Sequence, residues 1–267
     1  MGIFKDVFTF RKFGNNMNIV VLLKQVPDTT AKISVSSGAV DQDSVTKWSM
    51  SPYDEYALEA ALKLKNITNG SLIALTCGPA RSSKMLTDAA AVGADNLIHI
   101  VHEGYLDSMQ IQSLLTAAIV KLDGEVILCG KQAADTNSGS TGPGISELLE
   151  AGCVTHVTEV SFEDGEFSAV RLSSSGSEKV VISSPCVFAF DKGLNELRRP
   201  NVRGIMMAKK KEIISFSPED LGISISDSKV QIISHAPPTE KAPGKKYEGA
   251  SSIQTVIAKL RDEANVI

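Results

Sequence analysis

From Met17 to about Cys129, short β-rich apolar runs alternate with longer stretches whose apolar residues recur at helical spacing. That alternation constrains the fold more than any other feature of the sequence. A strand covered on both faces reads as a continuous apolar run, and parallel strands need a crossover of a dozen or more residues between them. The chain therefore reads as βαβ units around a parallel sheet. NIVVLLK (Asn18 to Lys24), SLIALTC (Ser71 to Cys77), NLIHIV (Asn96 to Val101) and EVILCG (Glu125 to Gly130) are its strands. Between the first two, Ser51 suits an N-cap, Pro52 the first helical position, and Asp54 and Glu55 the positive end of the helix dipole. Ala57, Leu58, Ala61 and Leu62 continue that helix at the right spacing. Ser82 to Val92, closed by Gly93, and Ser108 to Leu122 read as the next two helices.

After Gly152 the pattern turns antiparallel: VTHVTEVSF, a turn at Glu163-Asp164-Gly165-Glu166, then FSAVRLSSS and KVVISS. CVFAF (Cys186 to Phe190) is placed to return to the main sheet, and a loop of Arg, Pro, Asn and Gly follows to about Gly204. From Pro218 the short segments, Pro237-Pro238 and Pro243-Gly244 suggest an extended arm, closed by an amphipathic helix from Ser251 to Ala264. The organisation predicted is threefold. Residues 1–16 form an extension, with Phe4, Phe8, Phe10 and Phe13 among basic residues but no secretion signal. Residues 17–216 form a doubly wound, mostly parallel α/β domain of Rossmann-like, nucleotide-binding type, and residues 217–267 an arm that packs on another chain.

A net charge of -4 and a pI near 5.7 argue against a general nucleic-acid binder, which needs a Lys/Arg excess to neutralise phosphates. Cys77, Cys129, Cys153 and Cys186 stand too far apart for zinc sites or redox dithiols, so buried, reduced thiols in a cytoplasmic protein are expected. The four histidines lack metal-ligand spacing, and His99, inside an apolar strand, reads as a structural histidine. No nucleophile elbow appears, so neither a catalytic residue nor a metal ligand is assigned. Any redox chemistry would have to come from a bound cofactor.

The stretch GKQAADTNSGSTGPG, Gly130 to Gly144, follows an apolar strand and precedes the helical ISELLEA. Ligands of open α/β sheets bind at the carboxyl ends of strands, and a Gly-rich turn before a helix offers backbone N–H groups to phosphate. The spacing matches neither a P-loop nor the dinucleotide fingerprint. A purely connecting loop is the alternative reading. Further on, GLNELRRPNVRGIMM followed by Lys209-Lys210-Lys211 combines Arg with apolar residues, a docking surface or otherwise a solvated face.

These residues resemble the electron-transfer flavoprotein beta subunit family, and the match runs from about Asn18 to the final helix. It rests on six landmarks in order: NIVVLLKQVPDT, MSPYDEYALEAALKLK, LTCGPA, AAVGADNLIHI, LCGKQAADT and GLNELRRPNVRGIMMAKKKEI. The resemblance implies a heterodimer with an alpha subunit that carries the electron-transferring FAD. It also implies a flavin-containing dehydrogenase, such as an acyl-CoA dehydrogenase, as electron partner, with ferredoxin or a quinone reductase as possible acceptors. The family's nucleotide pocket would fall on Leu22, on Ser51, Pro52, Tyr53 and Asp54, on Cys77, and on Gly130, Lys131, Gln132, Ala133, Ala134, Asp135, Thr136, Asn137, Ser138, Gly139, Ser140 and Thr141. Its partner-recognition loop would fall on Leu194, Asn195, Glu196, Leu197, Arg198, Val202 and Ile205, with Val202 as the apolar anchor.

Members of the family fill this pocket either with AMP, as a structural nucleotide, or with a second FAD that exchanges hydride with NAD(H) and splits the electron pair. VPDT (Val26 to Thr29), PYDE (Pro52 to Glu55) and Gly142-Pro143 resemble the two-FAD, electron-bifurcating bacterial group. Ser51 stands where the family usually has Asn, and Leu197 where it usually has Pro. A stand-alone adenine-nucleotide-binding module of the same fold is the competing reading. An ATP-pyrophosphatase-type ligase would need a Ser-Gly-Gly-x-Asp-Ser loop after the first strand, which the sequence lacks.

Overall fold

The computed structural model describes residues 17–193, 196–241 and 243–267. The expected N-terminal extension, Leu194 and Asn195 lie outside the described residues. The chain opens with β1 (Asn18–Leu22) and then forms two small antiparallel ribbons. One pairs β2 (Gln25–Pro27) with β5 (Trp48–Met50), and the other pairs β3 (Val35–Ser36) with β4 (Ala39–Val40). Next come α1 (Pro52–Thr68), β6 (Ser71–Gly78), α2 (Ser83–Val92), β7 (Asn96–Val101), α3 (Ser108–Lys121), β8 (Val126–Gly130) and α4 (Thr141–Leu148). An antiparallel trio follows, β9 (Gly152–Glu163), β10 (Glu166–Ser173) and β11 (Gly176–Ile182), then β12 (Cys186–Phe190), α5 (Val202–Ala208), β13 (Ile213–Phe216) and, at the end of the arm, α6 (Ile253–Asp262).

Nine strands make one sheet in the order β11-β10-β9-β12-β8-β1-β6-β7-β13. From β12 to β13 every neighbour is parallel, and β9 also runs parallel to β12, while β10 and β11 fold back antiparallel. The chain steps outward from β1 to β6 and β7, then crosses back through α3 to place β8 on the other side of β1. The strand order therefore reverses between β1 and β8. Alternate residues of β1 feed two apolar layers, as the twofold periodicity of a strand requires. Ile19 and Val21 join α1 and α2, whereas Val20 and Leu22 join Leu114, Leu115 and Ile119 of α3 and Ile145 of α4. Helices thus cover both faces of a doubly wound sheet, as the alternation predicts.

The differences from expectation are local. Helix α4 begins at Thr141 rather than at Ile145, so Gly142, Pro143 and Gly144 are helical. Proline lacks only an N–H that the first turn leaves unpaired anyway. Helix α5 begins at Val202, which shortens the loop expected to run to Gly204. Strand β13 and the two ribbons were not anticipated. The turn at Asp164 and Gly165 has both residues at positive φ, 53° and 86°, as a tight hairpin needs. Of the four cysteines, all free, Cys129 and Cys186 are buried and Cys77 is half-buried, but Cys153 is exposed, against the expectation of burial. His99 is buried, and its Nε2 lies 3.0 Å from the Gly78 carbonyl oxygen, a partnered structural histidine. Among the described residues no helix is long and apolar enough to cross a membrane.

Candidate functional site

In an open α/β sheet the crevice at the carboxyl ends of the strands where the order reverses is the place for a ligand. Here that crevice lies between the exits of β1 and β8, and most of the pocket residues singled out from the sequence converge there. Leu22 ends β1, Gly130 ends β8, Ser51 to Asp54 open α1, and Lys131 to Ser140 form the connection from β8 to α4. Cys77 stands at the end of β6, next to β1.

Asp54 ties the crevice together. Its Oδ2 accepts the Lys24 N–H at 2.7 Å and its Oδ1 accepts the Gly130 N–H at 2.9 Å, so one carboxylate bridges the ends of both strands. The Ser51 N–H donates to the Lys24 carbonyl at 2.9 Å, fastening the start of α1 to the same point. Glycine is required at 130, because a Cβ there would lie 2.5 Å from Asp54 Oδ1 and 2.7 Å from Tyr53 Cβ. Burial pushes the Asp54 carboxyl up to about 7, against the pull of those two N–H donors.

Two lysines line the rim. Lys24 Nζ donates to Asp135 Oδ1 at 2.8 Å, linking the exit of β1 to the long loop. Lys131 Nζ donates to Asp191 Oδ2 at 2.8 Å, beyond the end of β12, and stands 4.9 Å from the Tyr53 ring centre. His156, at φ 57° in a bulge of β9, places Nδ1 3.4 Å from the same Asp191 oxygen. Burial works to raise the Asp191 carboxyl, but hydrogen bonds from Lys131, the Lys192 N–H and His156 outweigh it and hold it low. The loop is shaped by Asn137 and Gly139, both at positive φ, with the Asn137 N–H donating to the Ala133 carbonyl at 2.9 Å. Thr136 and Ser138 sit exposed at its crest, with Gln132, Ala133 and Ala134 half-buried beneath.

Ser51 occupies the N-cap position of α1 but makes no capping hydrogen bond, contrary to its expected role. Its hydroxyl is buried without a partner. Five buried side-chain polar atoms among the described residues lack a hydrogen-bond partner, and three of them, Gln25 Oε1, Ser51 Oγ and Ser140 Oγ, sit at this carboxyl edge. A buried polar atom left unpaired costs about 1–3 kcal/mol, so these three atoms are available to a polar ligand. Leu22 is buried and Cys77 half-buried at the ends of their strands. Burial pushes the Cys77 thiol up to about 12, so it stays neutral near pH 7 and is no nucleophile there.

The second candidate surface is at α5. Val202 opens this helix 76% exposed, beside exposed Ile205, Met206 and Met207, and the Asn201 side chain caps it by accepting the Gly204 N–H at 2.7 Å. Glu196 is exposed and Leu197 half-buried. Arg198 is turned inward, donating through Nε and Nη2 to Glu59 of α1 at 2.8 Å each. Sequence reasoning missed Lys24, Gln25, Glu59, His156 and Asp191. The only signal for Lys24 and Gln25 was their place directly after the first strand, and the other three carried none.

A family model described as electron transfer flavoprotein domain matches residues 41–221. The electron transfer flavoprotein subunit beta of Bacillus subtilis is 34% identical over 258 residues, covering 94% of this chain and 100% of that protein. The human electron transfer flavoprotein subunit beta is 32% identical over 253 residues, covering 92% and 97%. Subunit CarD of the caffeyl-CoA reductase-Etf complex of Acetobacterium woodii is 30% identical over 260 residues, covering 92% and 99%.

Proposed function

The chain belongs to the electron transfer flavoprotein beta subunit family, and from that premise we propose that it pairs with an alpha subunit to pass electrons between a flavin-containing dehydrogenase and an acceptor, holding a nucleotide at the β1/β8 crevice. The observation that carries the nucleotide site is the gathering of unpartnered buried polar atoms, Gln25 Oε1, Ser51 Oγ and Ser140 Oγ, around a topological switch point. The proposed nucleotide is a second FAD, on the strength of VPDT, PYDE and Gly142-Pro143, with NAD(H) as its exchange partner and electron bifurcation as the activity. When bound, FAD supplies the hydride and electron chemistry that the chain's own side chains lack.

The chain's part is binding and orientation. The Ser51 and Ser140 hydroxyls and the backbone of the Lys131–Ser140 loop are placed to meet ribose and phosphate oxygens, Lys24 and Lys131 bring positive charge to the rim, and Leu22 and Cys77 exclude water from the adenosine end. Docking is assigned to α5, where Val202 and Ile205 present an apolar face to an acyl-CoA dehydrogenase or similar partner. The arm beyond 217 is the surface for the alpha subunit, and the cytoplasm is the proposed compartment, in keeping with four free thiols.

The test is to co-purify the chain with its alpha subunit, denature the complex and count FAD and AMP per heterodimer. Two FAD and no AMP is the expected result. One FAD with one AMP would replace bifurcation by a one-flavin shuttle with a structural nucleotide in the crevice, and a complex with neither nucleotide in this chain would remove the site.

A further inference from the structure

We propose that Asp54 is the positioning residue of the crevice: its carboxylate locks the exits of the two switch-point strands to each other, and nucleotide affinity depends on that lock. The inference rests on the nucleotide reading above but gives Asp54 a different part from the one its neighbours play. A residue in a nucleotide pocket is ordinarily assigned to the ligand. Here both carboxylate oxygens are already engaged by the chain's own N–H groups, Lys24 at 2.7 Å and Gly130 at 2.9 Å, and the side chain is 6% exposed. The Gly130 N–H ends β8 and the Lys24 N–H lies two residues past the end of β1, the strands that a switch-point ligand lies across. Satisfying them internally removes them as phosphate donors and leaves the phosphates to the Lys131–Ser140 loop. It also fixes the width of the crevice.

The lock depends on charge. An ionised carboxylate accepts both N–H groups at charge-assisted strength, whereas a neutral one must carry its proton on one of the two accepting oxygens. Burial places this change at about 7. The charged and titratable groups around Asp54 are Lys24 on the β1 exit, Asp135 and Lys131 on the loop, and the thiol of Cys129 on β8, which burial and Asp54 both raise. Lys24 favours the ionised form and Asp135 opposes it. Ionisation strengthens both N–H bonds, but burial of the charge outweighs them, so against an opened crevice with a solvated carboxylate the lock loosens as pH rises through about 7. Stability runs the same way: a carboxyl raised by folding contributes most below its unfolded value and loses that contribution as pH rises to about 7.

The experiment compares the heterodimer with its Asp54→Asn variant, which retains shape but offers an amide where two acceptors are needed. Dissociation constants of FAD at the crevice, and of AMP where the crevice takes it, are measured from pH 5.5 to 8.5, the phosphate's own titration cancelling in the ratio of variant to wild type. The ratio is expected to be about tenfold below pH 6, the worth of one hydrogen bond, and to fall as pH rises through about 7. A ratio near one throughout, or one that rises with pH, overturns the proposal. Amide exchange at Lys24 and Gly130 in the wild type decides the matter where the variant does not fold or neither nucleotide binds: protection factors that fall through pH 7 support the lock, and pH-independent ones overturn it. Absence of both FAD and AMP binding together with falling protection would sink the nucleotide reading alone.

Discussion

Arg198 and Glu59 meet across 139 residues of sequence, and the pair fixes the loop before α5 to the middle of α1. Glu59 is 5% exposed and takes three hydrogen bonds from Arg198, two from the guanidinium at 2.8 Å and one from the backbone N–H at 3.2 Å. Burial alone would raise the Glu59 carboxyl, yet those bonds outweigh it and hold it below its usual value. Replacing Arg198 with Ala strands a buried carboxylate, and because the arginine side chain is 37% exposed the full cost of breaking a buried pair is discounted to about 2 kcal/mol. A lowered urea midpoint at unchanged slope is the expected outcome, with Arg198→Lys recovering only part because an ammonium cannot reproduce the fork. The sign of the pH effect follows from the lowered carboxyl: the pair's stability is present above pH 4.5 and is lost as pH falls through Glu59's folded value, so the gap between wild type and Arg198→Ala should close in acid. A gap that stays constant down to pH 3 would contradict the assignment. None of this was legible in the sequence. The family resemblance placed Arg198 in the partner loop, and only the fold brings it onto a carboxylate so distant in the chain.

Elements with strong periodicity were legible, and elements made by tertiary contact were not. The apolar runs of β1, β6, β7 and β8 and the Pro52–Asp54 start of α1 carry their own signals, since burial on two faces and first-turn chemistry are written locally. Strand β13 has only four residues and becomes a strand because β7 offers it an edge. Helix α5 is likewise defined by what it touches: a Cβ on Gly204 would collide with the Ala91 carbonyl oxygen of α2, so glycine permits the close approach of the two helices. Two substitutions only two residues apart should therefore separate packing from docking. Gly204→Ala must push α5 outward, costing about 1–3 kcal/mol of stability and slowing electron exchange with the dehydrogenase together. Val202→Asp, at a 76% exposed position, should leave stability within about 0.5 kcal/mol and flavin content unchanged while exchange slows. Thermal melts alongside stopped-flow reduction by the dehydrogenase read both. Unimpaired exchange in Val202→Asp would remove α5 as the docking surface.

At the scale of the whole molecule, the arm divides into a part stitched to its own domain and a part that touches little of it. Asp107 caps α3 by accepting the Gln110 N–H at 2.9 Å, and its other oxygen takes the Lys229 N–H at 2.7 Å and the Ser228 hydroxyl at 3.1 Å. Gln110 Nε2 donates to the Ser226 carbonyl at 2.6 Å, and Ile223 and Ile225 pack on the apolar layer beneath α3. Among the described residues the last such tie, the His235 N–H to the Gly38 carbonyl at 2.7 Å, reaches the β3–β4 ribbon. Beyond it α6 buries none of its residues, and Ile253, Ile257 and Leu260 are exposed. An apolar stripe of this kind contributes little to the domain's own stability and suits an interaction surface, in line with the proposal that the arm meets the alpha subunit. A chain ending at His235 should thus melt within a few degrees of the full chain when each is measured alone, yet fail to co-purify with the alpha subunit. Asp107→Ala should behave in reverse order, losing about 1 kcal/mol from the lost cap and exposing residues 223–235 to limited proteolysis, while assembly weakens only through the arm's looser anchorage. If the shortened chain still assembles at full affinity, the alpha subunit must bind elsewhere on the domain, and the exposed stripe of α6 would need another occupant.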